Sequence, residues 1–445
     1  MSFPFLEIAR SVLETAPQVA WNPATGVRFL FYWAITLLVY SQYARTARLQ
    51  KELYGTVLTS PFGQTLASIL QGVVVGAVGS FVMTFIGVAF LPDGGGLVWL
   101  MPTALALMLI NVRLMCFSYA GGLLALSYLL FGFPKVSIPP LMALVAVLHL
   151  MESLLILLDG SAGATPVYLQ RRGRTVGAFY LQRAWSVPVA LLILAVISPA
   201  AAKEGIAMPD WWPVLRTAPE ILAHPGAVFF PHALPAALGY GEVALTSPPG
   251  LKARRTAVNL ALYSLTLLAL SVAATRVPLL LWVTALFAPL GHEAVVRLEN
   301  RRESAGRPYF IPPGEGLMVL DVVPGTPAER LGLGPGWVIT EVGGRPVTGR
   351  AELEEALTLA RASGRLYLTV RPPRPSGDSG PTEEGPDGWD GTRGHTFSCP
   401  FGPGSVLGVI PVPEPGDRVV VELAGAGPLG GLARRLAGRS GSGGS

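Results

Sequence analysis

The sequence predicts a polytopic α-helical membrane domain with eight or nine spans, followed by a small α/β domain. The 445-residue chain is 51% hydrophobic with a mean hydropathy of +0.49, and 14% of its residues are charged, against about 25% in an average soluble domain. Long uncharged runs fill the first three hundred residues. By contrast, residues 316–347 alternate short apolar runs with glycine and proline turns and carry both charge signs.

Residues 1–22 are predicted to form an amphipathic helix at the membrane interface. Glu7 and Glu14 interrupt its apolar residues, so the stretch lacks the continuous apolar core of a signal peptide. A short first span is the alternative. The two cysteines, Cys116 in an apolar run and Cys399 near the C-terminus, indicate no disulfide framework.

The membrane domain is predicted to cover residues 23–300. A helix needs about 20 mostly apolar residues to cross the hydrocarbon core, and eight apolar runs of the sequence are predicted to be spans. They lie at 27–42, 61–92, 96–112, 114–133, 138–158, 186–201, 256–275 and 277–291. A ninth apolar stretch, 219–241, is interrupted by Pro225, Pro231 and Pro235, which makes it either a broken span or a re-entrant segment.

Basic residues predict the orientation, because Lys and Arg collect in the short loops that stay in the cytoplasm. Four basic segments follow the first span, follow the fifth, precede the seventh and follow the eighth. They contain Arg45, Arg48 and Lys51, then Arg171, Arg172, Arg174 and Arg183, then LKARR at 251–255, then Arg297, Arg301 and Arg302. All four share one side only if 219–241 crosses once. The α/β domain is therefore predicted to be cytoplasmic, in a multi-pass protein of the cell membrane.

Residues 308–372 have the element order of a small α/β domain. GLMVLDVV alternates like a strand, PGTPAERLGL predicts a turn and a short helix, and GWVITEVGGRPV predicts a second strand. AELEEALTLARASG predicts an amphipathic helix that ends at Gly364, and RLYLTVRPP predicts a last strand. This order, together with GTPAERLGL, resembles a bacterial PDZ domain. The sequence departs from that pattern at Gly336-Trp337, where Gly-Asp is usual.

The PDZ resemblance implies a groove for a peptide or a chain terminus. PDZ domains add an extended peptide to a sheet edge. The match places the receiving backbone at Gly316, Leu317, Met318 and Val319, with Leu353 and Leu357 on the facing helix. Each of these residues taken alone is explained at least as well by core packing, so the prediction rests on the groove as a whole.

Ionisable residues inside the apolar runs form a second candidate site. His149, Glu152 and Asp159 lie in or at the end of the fifth predicted span, at spacings that place them on one helical stripe. His292 and Glu293 end the eighth. Such residues are costly in a bilayer and usually face the protein interior.

Two histidines with carboxylates could bind zinc, and a PDZ domain beside them invites comparison with intramembrane site-2 metalloproteases. LLDG resembles the second metal motif of those enzymes. The HExxH helix of a metalloprotease is missing, since Val296 stands four residues after His292. The favoured interpretation is structural packing, with no catalytic residue, no metal ligand and no cofactor.

Residues 373–395 are acidic and rich in proline and glycine, which predicts a flexible linker. Residues 396–445 form a C-terminal tail with a small β-prone segment at 396–425. That segment is predicted either to form a hairpin of its own or to pack on the PDZ domain.

Three segments of the membrane domain carry a wider resemblance: HLMESLLILLDGSAGATPVYLQRRGRTVGAFYLQRAW, GYGEVALTSPPGLKARR and PLGHEAVVRLENRRE. With these segments before the PDZ-like domain, the whole layout resembles the MinJ-type topological determinants of cell division in Gram-positive bacteria, which are multispanning proteins with a C-terminal PDZ domain. It implies a non-enzymatic adaptor that links a DivIVA-like polar scaffold to a MinD-like division inhibitor. The expected partners are these cytoplasmic proteins and membrane lipid, with no nucleic acid, and self-association stays open.

Two other classes of protein stay open from the sequence. One is an intramembrane metalloprotease or a degenerate relative of such an enzyme. The other is a transporter or lipid-handling protein that its PDZ domain regulates.

Overall fold

The computed structural model describes residues 2–92, 96–198, 206–215, 224, 226–373, 394–415 and 417. Within them, the first three hundred residues, hereafter the membrane half, form helices and one sheet. The helices are α1 Phe5–Thr15, α2 Gln18–Trp21, α3 Val27–Tyr54, α4 Pro61–Ile86, α5 Leu97–Ile110, α6 Phe117–Phe131, α7 Ile138–Asp159, α8 Pro249–Ala274 and α9 Leu279–Ala305. The strands are β1 Ala89–Phe90, β2 Thr165–Arg171, β3 Arg174–Val196 and β4 Ala227–Ala244.

Four of these helices, α4, α7, α8 and α9, are long and apolar enough to cross a membrane. Helices α5 and α6 are apolar but have only 14 and 15 residues, which is about 21–23 Å against a hydrocarbon core of about 30 Å. The first predicted span, 27–42, is helical within α3. The structure therefore supports four candidate spans by length and composition, and the predicted eight or nine are not confirmed.

The predicted sixth span at 186–201 is wrong, because residues 186–196 belong to strand β3. This strand pairs antiparallel with β4, from Phe179 opposite Ala244 to Val196 opposite Ala227. Residues 227–241 of the proline-containing stretch are strand as well, whereas 219–223 and 225 lie outside the described residues. An uninterrupted apolar run fits a fully buried strand as well as a helix, so hydropathy alone did not separate them.

Glycines on α4 allow this hairpin to pack directly on the helix. Gly72 and Gly76 lie about one turn apart. A Cβ at Gly72 would lie 2.2 Å from the Ser186 carbonyl oxygen, and one at Gly76 would lie 2.2 Å from the Pro188 carbonyl oxygen. Because neither glycine has a side chain, the helix and strand backbones come into contact along this face.

Helix α7 lies at the centre of the membrane half. Most of its side chains are buried, and they share one core with residues of β3, α6 and α8. Helix α9 is different, since Leu279 and Leu290 are 71% and 64% exposed. Exposed aliphatic residues on a long apolar helix are typical of a surface that contacts lipid.

The C-terminal domain forms a sheet of order β10-β5-β6-β8-β9, with β7 on β6. Its elements are β5 Leu317–Val322, α10 Pro327–Arg330, β6 Val338–Val342, β7 Arg345–Pro346, α11 Arg350–Ser363, β8 Arg365–Arg371, β9 His395–Pro400 and β10 Val409–Pro411. The predicted element order is confirmed. Of the two alternatives left open for the β-prone segment of the tail, the structure has packing on this domain, because β9 pairs with β8 and β10 pairs with β5. Residues 374–393 of the predicted linker and 418–445 of the tail lie outside the described residues.

The C-terminal domain is docked on the membrane half by backbone hydrogen bonds and apolar contact. The Gly177 N–H donates to the Phe310 carbonyl, and the Tyr309 N–H donates to the Leu245 carbonyl, both at 2.9 Å. Phe310 and Leu320 belong to the main core of the membrane half. One residue of β10 and one residue that follows this strand belong to it as well. The two regions are therefore joined by buried apolar area as well as by the chain itself.

Candidate peptide groove and intramembrane histidine cluster

A cavity of about 490 Å³ lies between the edge strand β10 and helix α11. Val406, Leu407 and Gly408, in the loop that leads into β10, line one side of it. Leu353 and Leu357 of α11 line the other side. A sheet edge with a cavity beside it can accept an extended peptide, which adds its backbone to the edge and places a side chain in the cavity.

The predicted receiving backbone at Gly316–Val319 does not lie at an open edge, and that expectation is wrong. Strand β5 is internal, because it pairs with β10 on one side and with β6 on the other. The Val412 N–H donates to the Met318 carbonyl at 3.0 Å. The local sequence could not show this, since the covering strand comes from the distant C-terminal tail.

Leu353 and Leu357 lie beside the cavity, and they are also core residues. Their exposed fractions are only 6% and 2%. Val406, by contrast, is 64% exposed at the mouth of the cavity, and sequence reasoning missed it. The loop before β10 needs glycine at Gly408, which has φ +80° and where a Cβ would lie 2.2 Å from Thr326.

The membrane half contributes to the same cavity. Leu53 and Tyr54 of α3 and Tyr168 of β2 are among its lining residues. The Tyr168 hydroxyl donates to the Pro411 carbonyl at 2.8 Å, and Arg350 donates to that hydroxyl at 3.0 Å. The end of β10 at Pro411 is therefore held against the membrane half.

Within the membrane half, the structure brings His149 of α7 and His292 of α9 together and adds Cys116, which precedes α6. The Cys116 sulfur lies 3.0 Å from Nε2 of His149 and 3.6 Å from Nε2 of His292. The ligand atoms of all three residues lie within 4.8 Å of one another. These three residues could together hold a metal ion. Cys116 was missed because nothing in an apolar run shows which distant residues it will contact.

The predicted carboxylates do not join the two histidines. Glu152 lines a larger cavity of about 1780 Å³, and Asp159 forms an ion pair with Arg183. Glu293 accepts a hydrogen bond from the Tyr119 hydroxyl at 2.6 Å. The residues predicted to share one helical stripe therefore contact different partners in the folded protein.

A buried ion cluster at the contact between α8 and α9 was also missed. Lys252, which is 1% exposed, lies 2.8 Å from Glu299, 3.5 Å from Glu242 and 3.9 Å from Glu303. Because of its charge, Lys252 was predicted to lie in a cytoplasmic loop. The available signal was the spacing of Glu299 and Glu303, which places two carboxylates on one face of a helix.

Comparisons with known proteins support the two-part organisation. A family model described as a PDZ domain matches residues 318–372. The chain is 30% identical over 197 residues to the cell division topological determinant MinJ of Bacillus subtilis, an alignment that covers 44% of this chain and 46% of MinJ. It is 35% identical over 88 residues to the putative serine protease HhoA of Synechocystis sp., which covers 17% of this chain and 22% of HhoA.

The chain therefore aligns with less than half the length of each of these relatives. No solved structure matches it. The C-terminal domain is a PDZ domain, and the predicted resemblance to MinJ-type proteins is confirmed over the aligned part.

Proposed function

We propose that this protein is a membrane adaptor that binds an extended segment of cytoplasmic cell-division proteins between β10 and α11. The observation that carries this proposal is the position of β10, which ends the PDZ sheet and borders a cavity of about 490 Å³. An edge strand offers unpaired backbone groups to an incoming strand. The similarity to a cell division topological determinant supports the cellular context.

The proposed partners are a DivIVA-like scaffold and a MinD-like division protein, as the MinJ-type resemblance implies. Their chain termini or extended segments would pair with β10. The protein itself is proposed to be non-enzymatic. The similarity to a putative serine protease covers 22% of that relative, so it supports no catalytic assignment here.

The PDZ domain is proposed to lie in the cytoplasm. Arg171, from the second basic segment, donates to the backbone carbonyls of Glu303 and Gly306, which follow the fourth basic segment. Two basic segments therefore meet at the end of the molecule that holds the PDZ domain, which supports a cytoplasmic position for that end under the positive-inside rule. The hairpin of β3 and β4 leaves this proposed orientation unchanged. The chain enters β3 and leaves β4 at the same end of the hairpin, and two membrane-spanning helices in its place would also return the chain to the side where it started.

Binding of fluorescent peptides to membrane vesicles tests both groove and sidedness. The peptides carry the C-terminal ends of the DivIVA-like and MinD-like proteins of the same cell. We expect binding to inside-out vesicles and none to right-side-out vesicles. Val406→Glu should weaken binding about ten- to a hundredfold, because burial of one aliphatic side chain contributes about 1.5–3 kcal/mol.

Leu359→Glu is the matched control, since Leu359 is an exposed residue of α11 that does not line the cavity. Leu357 is less suitable for substitution because it is core, and a charge there would unfold the domain. Equal binding by the Val406 and Leu359 variants would move the binding site away from this groove. Binding to right-side-out vesicles would overturn the orientation.

A further inference from the structure

The cluster of Cys116, His149 and His292 has the geometry of a metal site. Zinc binds thiolate sulfur at about 2.3 Å and imidazole nitrogen at about 2.0–2.1 Å, so a tetrahedral ion separates these ligand atoms by about 3.6 Å. The sulfur of Cys116 lies 3.6 Å from one Nε2 and 3.0 Å from the other. We propose that these three residues bind a zinc ion, a site that is independent of the peptide groove.

His149 is oriented as a ligand by its second nitrogen. Its Nδ1 lies 2.7 Å from the Val145 carbonyl, which can only accept, so Nδ1 carries a hydrogen, and in the neutral ring Nε2 carries the lone pair that a metal ion would take. Ser118 does not supply a hydrogen to that lone pair. The Tyr263 hydroxyl donates to the Ala288 carbonyl at 2.8 Å, so it must accept from Ser118 at 2.7 Å. The Nε2 lone pair of His149 is thus left to Cys116 or to a cation.

Cys116 supplies the sulfur of the cluster from the N-terminus of α6. It caps this helix, and its sulfur accepts the Ser118 N–H at 3.4 Å. One thiolate with two imidazoles is a ligand set that zinc prefers, and three protein ligands leave a fourth position open.

The three residues lie at a cavity, and a metal ion bound there would connect three helices. All three residues line the cavity of about 1780 Å³, which also contains Glu152. An ion here would join the start of α6, the middle of α7 and the middle of α9. Without metal, the same atoms can form a hydrogen-bonded chain from His292 to Cys116 to His149, and the experiment below separates the two arrangements.

Metal content of the full-length protein, purified in detergent without chelator, is the first test. We expect one zinc per chain by plasma mass spectrometry, and loss of that zinc in Cys116→Ser and in His149→Asn. Cys399→Ser and His395→Asn are matched controls, because they change the same residue types in β9 of the PDZ domain. Zinc that persists in both cluster variants would overturn the proposal.

Cobalt titration of chelator-stripped wild-type protein is the second test, and it does not depend on any variant's folding. We expect the intense visible bands of four-coordinate cobalt together with a thiolate-to-metal charge-transfer band. Both should disappear in Cys116→Ser and persist in Cys399→Ser. Protein that contains no zinc as purified and gives no cobalt bands would establish the metal-free hydrogen-bonded chain instead.

Discussion

The membrane half and the PDZ domain differ in where they place their charged residues. In the membrane half, Arg183, Lys252 and Glu299 are almost fully buried, whereas Leu279 and Leu290 face outward. In the PDZ domain the core is aliphatic and aromatic, and charged pairs such as Arg345–Glu355 are exposed. A lipid-facing surface is satisfied by any apolar residue, so the specific contacts of the membrane half come from its internal polar groups.

The largest expected effect comes from breaking the buried ion cluster with Lys252→Met. This change leaves Glu299, which is 2% exposed, without its 2.8 Å ion pair. Removing one partner of a buried pair typically costs about 3–5 kcal/mol, because the remaining charge stays in a poorly solvated site. We expect a corresponding fall in thermal stability in detergent, measured by the unfolding midpoint.

Two controls sharpen this prediction. Lys51→Met removes an exposed lysine and should leave stability nearly unchanged. Adding Glu299→Gln to Lys252→Met should restore much of the loss, because the most deeply buried of the three carboxylates near Lys252 then carries no charge. A Lys252→Met protein as stable as wild type would show that the cluster is solvated, and the contrast between the two regions would then fail.

The same contrast explains which parts of the fold could be predicted. In the PDZ domain, alternation and turn residues act over neighbouring positions, so the order from β5 to β8 was evident from the sequence. In the membrane half, hydropathy locates apolar runs but does not give their secondary structure. Residues 186–196 became a strand because glycines of α4 receive it, and that partner lies more than a hundred residues away in the chain.

A smaller effect is expected where the helix and hairpin backbones meet. Gly76→Ala adds a Cβ that would lie 2.2 Å from the Pro188 carbonyl oxygen and 3.0 Å from Val187. Backbone cannot move aside as a flexible side chain does, so overpacking here should cost about 1–3 kcal/mol. Thermal unfolding in detergent would measure it.

Gly63→Ala, in the same helix, is the matched control. Its Cβ would lie 3.6 Å from the nearest Ser60 atom, which is ordinary contact, and alanine favours helix over glycine. We expect no loss of stability from it. If both substitutions were equally tolerated, α4 and β3 would not be in direct contact.

The residues of the candidate sites also differ in how far they could be predicted from the sequence. Leu353 and Leu357 were predictable because helical periodicity marks the face that packs on the sheet, whereas the strand that borders the groove required knowledge of where the tail folds back. His149 and His292 were identified because ionisable residues are rare in apolar runs. Cys116 was not, since a cysteine is ordinary in such a run and only the fold brings it to the histidines.

The smallest expected effect concerns Asp321, the carboxyl of the PDZ domain that most resembles the buried charges of the membrane half. Burial raises its pKa from 3.8 to about 6, and a hydrogen bond from the Val322 N–H only partly offsets this. The folded state therefore prefers the protonated form, and that stability is full below pH 3.8 and is lost as the pH rises through about 6.

Asp321→Asn should match wild-type stability near pH 4 and exceed it near pH 7. The full shift corresponds to about 3 kcal/mol, and partial solvation of this half-buried group reduces the expected gain to ~1 kcal/mol. Thermal unfolding of the full chain at several pH values measures this, with Glu341→Gln, an exposed carboxyl of β6, as a control that should show no such gain. A constant difference between Asp321→Asn and wild type across the pH range would mean that the carboxyl is solvated, and the PDZ domain would then hold no counterpart to the buried charges of the membrane half.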